Sequence, residues 1–102
     1  MRLTEIQIKA IQETFLLYFA KEDKIWLFGS RVDDHKKGGD IDLYIETNYD
    51  NLVVIEQKKI QFISKLKKII GDQKIDIVIN ILPLGQKLLI YDEARNTGVL
   101  LI

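Results

Sequence analysis

The sequence predicts an α/β (α+β) fold, in which helices pack on a small mixed sheet in the order α-β-β-α-β-α. Three observations predict it. Some stretches carry apolar residues at helical spacing, other short stretches are rich in strand-forming residues, and the two kinds alternate along the chain. With 102 residues, of which 47% are hydrophobic, the chain is expected to form a single domain over residues 1–102 with one modest core.

The first helix and the first strand follow one another closely. Thr4 is the predicted N-cap, and Gln7 completes a capping box three residues later. We expect the helix to end near Lys21, and its inner residues at helical spacing are Ile8, Ile11, Phe15 and Tyr18. The segment Lys24–Phe28 is rich in strand-forming residues and stops at Gly29, which predicts a buried strand.

The second strand follows a polar stretch. Residues 31–39 end in two glycines and predict an exposed loop. Apolar and polar positions then alternate, with Ile41, Leu43 and Ile45 set against Asp40, Asp42 and Tyr44. A period of two is the spacing of a strand, so the apolar residues are expected on one face and the carboxylates on the other.

A long helix, a third strand and a short helix complete the predicted fold. Asp50 or Asn48 is the predicted cap of the long helix, and Gly71 is its predicted C-terminal stop. The predicted inner stripe of this helix consists of Leu52, Ile55, Phe62, Leu66 and Ile69. Residues 74–81 alternate as a strand, a last helix is expected from about residue 86 to residue 96, and residues 99–102 are expected to form a short edge strand.

Composition excludes several classes of protein. The chain has no Cys and a single His, His35, so disulfides, thiolate or imidazole metal sites and Ser-His-Asp triads are not expected. The 15 basic residues balance the 15 acidic residues, which argues against bulk nucleic-acid binding. No stretch is apolar enough to span a bilayer or to act as a signal peptide, so we expect a cytoplasmic protein without a membrane partner.

Three aspartates interrupt the second and third predicted strands. Asp40 and Asp42 are two residues apart and point the same way, and a parallel crossover through the long helix would bring Asp76 beside Asp42. Close carboxylates repel one another unless a cation lies between them, and oxygen ligands suit Mg²⁺ or Mn²⁺. An ordinary alternative for Asp40 and Asp42 is that they line the solvated face of a one-sided sheet.

The end of the first strand adds a second chemical feature. Gly29 and Ser30 can aim backbone N–H groups and a hydroxyl at one point, which is a way to bind phosphate, although such a pair is more often a simple turn. If the first two strands are antiparallel, this point lies next to Asp40 and Asp42. Arg31 follows directly and is either a solvated loop residue or a group that neutralises phosphate charge.

These residues, Gly29-Ser30, then the pair Asp40 and Asp42, then Asp76, resemble the GS…DxD…D signature of the DNA polymerase β-like nucleotidyltransferases. The short chain resembles their minimal nucleotidyltransferase (MNT) branch. The resemblance implies a palm fold in which Asp40 and Asp42 bridge two Mg²⁺ ions and Asp76 holds the ion that activates the attacking hydroxyl. Gly29 and Ser30 would bind the β- and γ-phosphates of ATP, and a nucleoside monophosphate would be transferred in line with release of pyrophosphate.

The resemblance also implies a protein partner. MNT antitoxins of toxin–antitoxin modules bind a HEPN-domain ribonuclease toxin and adenylylate (AMPylate) one of its tyrosines, and other small transferases work with a separate helical substrate-binding protein. The chain departs from the family pattern at Val32 and Asp33, where a small and a basic residue are common. Two alternatives stay open: a non-catalytic antitoxin that covers its partner sterically, and an unrelated α+β domain with a coincidental motif.

Overall fold

The helices and strands follow the predicted order. The computed structural model describes residues 3–29 and 40–102. The elements are α1 Glu5–Tyr18, β1 Lys24–Phe28, β2 Ile41–Thr47, α2 Leu52–Ile70, β3 Ile75–Ile81, a 3-10 turn Leu82–Leu84, α3 Leu89–Thr97 and β4 Val99–Leu100. The α/β fold class is thereby confirmed, whereas the predicted loop over residues 31–39 lies outside the described residues.

The first helix begins as predicted and ends earlier. The capping box at Thr4 is confirmed, but the prediction of a helix end near Lys21 is wrong, because α1 ends at Tyr18. The amide of Ala20 donates a hydrogen bond to the buried carboxylate of Asp23, at 3.1 Å. A short polar side chain that bonds the backbone in this way replaces the helical hydrogen bond and turns the chain toward β1.

The long helix α2 starts at a cap that the sequence did not single out. The side-chain oxygen of Asn51 accepts hydrogen bonds from the amides two and three residues later, at 3.0 and 3.1 Å, so the prediction of Asp50 or Asn48 is wrong. Leu52 and Ile69 are 61% and 50% exposed, which corrects the predicted inner stripe. Both lie in terminal turns of α2. This helix has 19 residues against the 14 of α1, so it is longer by roughly 7 Å at 1.5 Å per residue. The buried residues of α2 are Ile55, Phe62 and Leu66.

The four strands form one mixed sheet in the order β3-β2-β1-β4. β1 is antiparallel to both β2 and β4, and β2 is parallel to β3. The parallel pair is joined through α2, as the sequence predicted, because parallel neighbours need a long crossover connection. The sheet therefore brings the end of β1, the start of β2 and the start of β3 to one corner of the molecule.

The two faces of the sheet are covered differently. The helices α1 and α2 pack together, and one face of the sheet shares their apolar core, which includes Ile11, Phe15, Leu43 and Phe62. On the other face α3 places Tyr91 and Ala94 over the fully buried Tyr44. The second face is therefore covered at Tyr44, whereas Asp42 is half-buried and Asp76 on the same face is exposed.

The last helix is shorter than predicted. Gly85 adopts a left-handed conformation with φ of +66°, and the backbone stays extended at Leu88, so α3 starts at Leu89 and not near residue 86. The closing strand is likewise limited to Val99–Leu100. No helix within residues 3–29 and 40–102 combines the length and the apolar character needed to cross a membrane.

Candidate active site

Two of the three predicted aspartates face each other across the parallel strands. Asp42 of β2 and Asp76 of β3 are partners in register. Neighbouring strands are about 4.8 Å apart, so the two carboxylates project side by side from one face of the sheet. The expectation that the crossover brings Asp76 beside Asp42 is confirmed.

Gly29 lies against the carboxylate of Asp42. Phe28 is the antiparallel partner of Asp42, so the end of β1 meets the start of β2 as expected. Gly29 has φ of +76°, and a β-carbon added there would overlap Oδ2 of Asp42. Only a residue without a side chain lets the backbone turn away so close to this carboxylate. The predicted residues Ser30 and Arg31 follow this turn and lie outside the described residues.

The third aspartate makes an ion pair that sequence reasoning missed. Oδ2 of Asp40 is 3.4 Å from Nζ of Lys74, which directly precedes β3. Lys74 is two residues before Asp76, and this i, i+2 spacing is the signal that could have placed it on the same face. In the described ranges no three His, Cys, Asp or Glu side chains form a group able to hold a metal ion. The three aspartates are therefore neighbours without forming a ready-made set of ligands.

Negative charges outnumber positive charges where Asp40, Asp42, Asp76 and Lys74 come together. Burial raises the pKa of the Asp42 carboxyl, the negative charges of Asp76 and Asp40 raise it further, and Lys74 lowers it. A hydrogen bond to Asp40 raises the pKa of Lys74, and attraction to Asp40 and Asp76 adds to this effect. Three carboxylates against one ammonium leave excess negative charge, and an all-oxygen donor set suits a hard divalent cation. The donor chemistry of these residues therefore suits Mg²⁺ or Mn²⁺, while their present arrangement is not a ready-made set of ligands.

The same face of the sheet carries a polar network that the sequence analysis also missed. The Tyr44 hydroxyl donates to Oε2 of Glu46 at 2.7 Å and accepts from Nδ2 of Asn80 at 3.0 Å, and Arg95 of α3 lies 3.3 Å from Oε2 of Glu46. Burial raises the pKa of Tyr44 to about 12, and the bond to Glu46 contributes. At neutral pH this tyrosine is therefore a fixed hydrogen-bond donor.

A cavity of about 340 Å³ adjoins this network. Asn80, Tyr91 and Arg95 contribute to its lining, together with the chain that links β3 to α3. Asn80 is four residues after Asp76, so the cavity lies roughly 13 Å along β3 from the carboxylates at about 3.3 Å per residue. We call the site formed by Asp40, Asp42 and Asp76 the acidic corner. The acidic corner and the cavity therefore occupy opposite ends of one sheet face.

The sequence model of the family described as "Polymerase beta, Nucleotidyltransferase" matches residues 9–102, which include Gly29 and all three aspartates. The chain belongs to this family. The resemblance seen in the sequence is thereby confirmed at the level of the polymerase β-like nucleotidyltransferases, and the four-stranded mixed sheet is consistent with their fold. No curated protein matches the chain. Polymerase β-like nucleotidyltransferases generally use a nucleoside triphosphate and a divalent metal, which agrees with the oxygen-rich corner formed by β1, β2 and β3.

Proposed function

We propose that this nucleotidyltransferase transfers AMP from ATP to a protein, namely a tyrosine of a HEPN-domain ribonuclease toxin, and so acts as the antitoxin of a two-protein module. The observation that carries the catalytic part is the register of the sheet. It sets Asp42 opposite Asp76 and places the turn at Gly29 against Asp42. In this proposal Asp40, Asp42 and Asp76 hold Mg²⁺, which supplies neutralising charge for the triphosphate.

The residues of the chain divide the work in this proposal. Gly29 lets the backbone approach the acidic corner, and the proposal assigns phosphate binding to Gly29 and to Ser30, the next residue in the sequence. Asp42, half-buried between two other carboxylates, concentrates the negative charge that selects a cation. Lys74 offsets part of that charge from its position beside Asp40.

The reaction is a displacement at the α-phosphorus of ATP. An oxygen–phosphorus bond forms between the tyrosine hydroxyl and the α-phosphorus, the bond from the α-phosphorus to the bridging oxygen breaks, and pyrophosphate leaves. The proton of the tyrosine hydroxyl passes to the solvent. Added AMP places negative charge on the ribonuclease, which would repel the phosphates of its RNA substrate.

A patch of exposed leucines supports a protein acceptor. Leu84, Leu88 and Leu89 lie between β3 and the first turn of α3 and are 52%, 50% and 88% exposed. Leu88 is one of the residues that line the cavity, and Leu84 and Leu89 are next to other lining residues in the sequence. Apolar side chains concentrated in one surface segment are typical of protein contact sites. In this proposal the partner binds over that segment and presents its tyrosine toward the acidic corner.

The proposal is tested by incubating the protein with ATP labelled at the α-phosphate and Mg²⁺, with and without the protein encoded by the adjacent gene. We expect label on the partner only when both proteins and the metal are present. The double variant Asp40→Asn/Asp42→Asn should lose the label and the protection of RNA together. The control is Asp72→Asn, because Asp72 is an almost fully exposed carboxylate that pairs with Lys67 of α2 and not with Lys74.

Two outcomes contradict the proposal in different ways. If the two proteins bind but no label appears on the partner, protein AMPylation is wrong. If the double variant loses label transfer but still protects RNA, the protein acts by covering its partner, which is the steric alternative.

A further inference from the structure

β3 forms one edge of the sheet in the part of the chain that the structure describes. This edge strand has seven residues, and no strand within residues 3–29 and 40–102 lies on its outer side. Its pairing with β2 runs without a bulge over all seven residues. Exposed edges are normally blunted by Lys, Pro, bulges or short length, because unpaired backbone groups attract other strands. The opposite edge strand, β4, has only two residues and is protected in this way.

The backbone groups on that outer edge belong to four isoleucines. The amide of Ile41 donates to the carbonyl of Lys74 at 3.0 Å. In a parallel ladder every second residue bonds to the same neighbour, so residues 76, 78 and 80 bond inward to β2. The residues whose N–H and C=O groups point outward are Ile75, Ile77, Ile79 and Ile81.

The sequence of β3 is close to a palindrome about Val78. It reads Ile-Asp-Ile-Val-Ile-Asn-Ile from residue 75 to residue 81. An antiparallel copy centred on Val78 would set isoleucine opposite isoleucine and Asp76 opposite Asn80. A shift of register by two residues would instead set Asp76 opposite Val78 or Leu82, which offer no side-chain donor. The strand therefore complements itself best in the register centred on Val78.

We propose that β3 pairs antiparallel with β3 of a second copy of this chain, with a two-fold axis at Val78, to form one continuous eight-stranded sheet. The outward amides and carbonyls of Ile77 and Ile79 would exchange hydrogen bonds across the axis, which is the isologous contact expected of a symmetric dimer. Both copies would present their acidic corners on the same side of the shared sheet.

The side chains beside the two-fold axis favour β3 of a second copy as the pairing strand. Nδ2 of Asn80 gives one hydrogen to the Tyr44 hydroxyl and carries a second one, so in the dimer it can donate to the exposed carboxylate of Asp76 in the other copy. Each acidic corner would thereby gain an amide from Asn80 of the second copy. Ile77, Ile79 and Val78 are half-buried in one chain, and pairing would cover more of their apolar surface.

The first test is a single engineered thiol. The chain has no Cys, so Val78→Cys carries one sulfhydryl per molecule. Residues facing each other in a non-hydrogen-bonded antiparallel pair have Cα atoms about 4.5 Å apart, within the range that a disulfide spans. We expect mild oxidation to convert most of Val78→Cys to a covalent dimer of twice 11.9 kDa. The matched control, Leu100→Cys on the other edge strand and 53% exposed, should stay largely monomeric in denaturing gels.

The second test uses charge at the axis. Val78→Lys and Val78→Glu should each sediment as a monomer, since like charges would meet across the two-fold axis, while an equimolar mixture should restore the dimer mass. Circular dichroism confirms that each variant is folded. The proposal is overturned if the unmodified chain sediments as a monomer at every concentration reached. It is also overturned if the oxidised Val78→Cys variant does not cross-link more than Leu100→Cys. That result would mean that β3 does not pair with β3 of a second copy, whether its edge stays free or binds a different protein.

Discussion

At the scale of single residues, the acidic corner depends on close contacts that leave little freedom for substitution. Asp42 lies between β1, which ends directly before Gly29, and β3, which carries Asp76. This position makes its charge unfavourable in the absence of a cation, which is why burial and neighbouring carboxylates raise its pKa. Residues that bind a charged ligand commonly carry such a cost, since the arrangement that suits the ligand is strained without it.

The variant Asp42→Asn should gain stability and lose activity. The folded-state pKa of Asp42 is raised, so ionisation weakens the folded state as the pH rises through the ordinary carboxyl range, and the penalty is fully present above the raised pKa. Without added metal, we expect Asp42→Asn to melt above the unmodified protein at pH 7. The difference should disappear below about pH 4, near the ordinary pKa of Asp.

Melting curves between pH 3 and pH 8 in a chelating buffer measure this difference. Asp72→Asn serves as the control, because its side chain is almost fully exposed. A melting difference for Asp42→Asn that does not change with pH would contradict the electrostatic explanation. Nucleotidyl transfer measured on the same samples should be abolished.

The variant Gly29→Ala should be much more harmful than a similar change at another left-handed glycine. Gly29 has a φ of +76°, which is unfavourable for alanine, and a β-carbon added there would also overlap Oδ2 of Asp42. At Gly85, with φ of +66°, no heavy atom lies within 4 Å of an added β-carbon, so only the backbone term of about 1 kcal/mol applies. We expect Gly29→Ala to lose about 2–4 kcal/mol of unfolding free energy, and denaturant titration of both variants measures the difference. Equal losses at the two positions would show that the contact with Asp42 does not matter.

At the scale of elements, the structure differs from the sequence-based prediction mainly at the ends of the helices. The hydrophobic periodicity of α2 continues into its last turn, yet Ile69 is half exposed because the helix is longer than its neighbour α1. The cap of α2 is set by Asn51, which is the residue that directly precedes the first helical turn. Periodicity reports which face of a helix is apolar, whereas the tertiary neighbours decide how much of that face is covered.

Removal of the α2 cap should lower stability without affecting catalysis. The Asn51 side chain satisfies two amides at the start of α2, and capping residues contribute about 1 kcal/mol. We expect Asn51→Ala to lose roughly that amount, and Asp50→Ala, at the position that the sequence suggested, to lose much less. Thermal melts at matched pH compare the two variants. A larger loss for Asp50→Ala would mean that the helix begins elsewhere.

At the scale of the whole molecule, one face of the sheet forms the main apolar core and the other face carries the candidate site. The face under α1 and α2 is apolar and closed, and the opposite face carries the acidic corner, the Tyr44 network and the cavity. Asp42 and Asp76 belong to different strands that are joined only through α2. A cation that bound both carboxylates would therefore tie together two elements far apart in the sequence.

Divalent metal should stabilise the whole fold for this reason. A ligand that binds only the folded chain adds about 1.4 kcal/mol at ten times its Kd, which corresponds to several degrees in Tm for a domain of this size. We expect Mn²⁺ or Mg²⁺ to raise Tm and a chelator to reverse the increase. Asp42→Asn and Asp76→Asn should abolish it, whereas Asp72→Asn should retain it. An increase that survives in both site variants would place the metal elsewhere.

The amino-acid pattern was sufficient for the order of elements and for the placement of Asp42 beside Asp76. Alternation around Asp42 and around Asp76 identified two strands with carboxylates on one face, and the helical segment between them implied that the strands are parallel. Local patterns of this kind are readable because side-chain direction repeats with a period of 2 or 3.6 along one element.

Tertiary packing alone decided the rest. Lys74 became the partner of Asp40 only because β3 lies beside β2, and Tyr44 became buried only because α3 folds back over the sheet. Neither residue differs in its local pattern from many surface residues. Contacts between elements depend on which faces meet and on how far each element extends over its neighbour, and a pattern along a single strand or helix does not determine either.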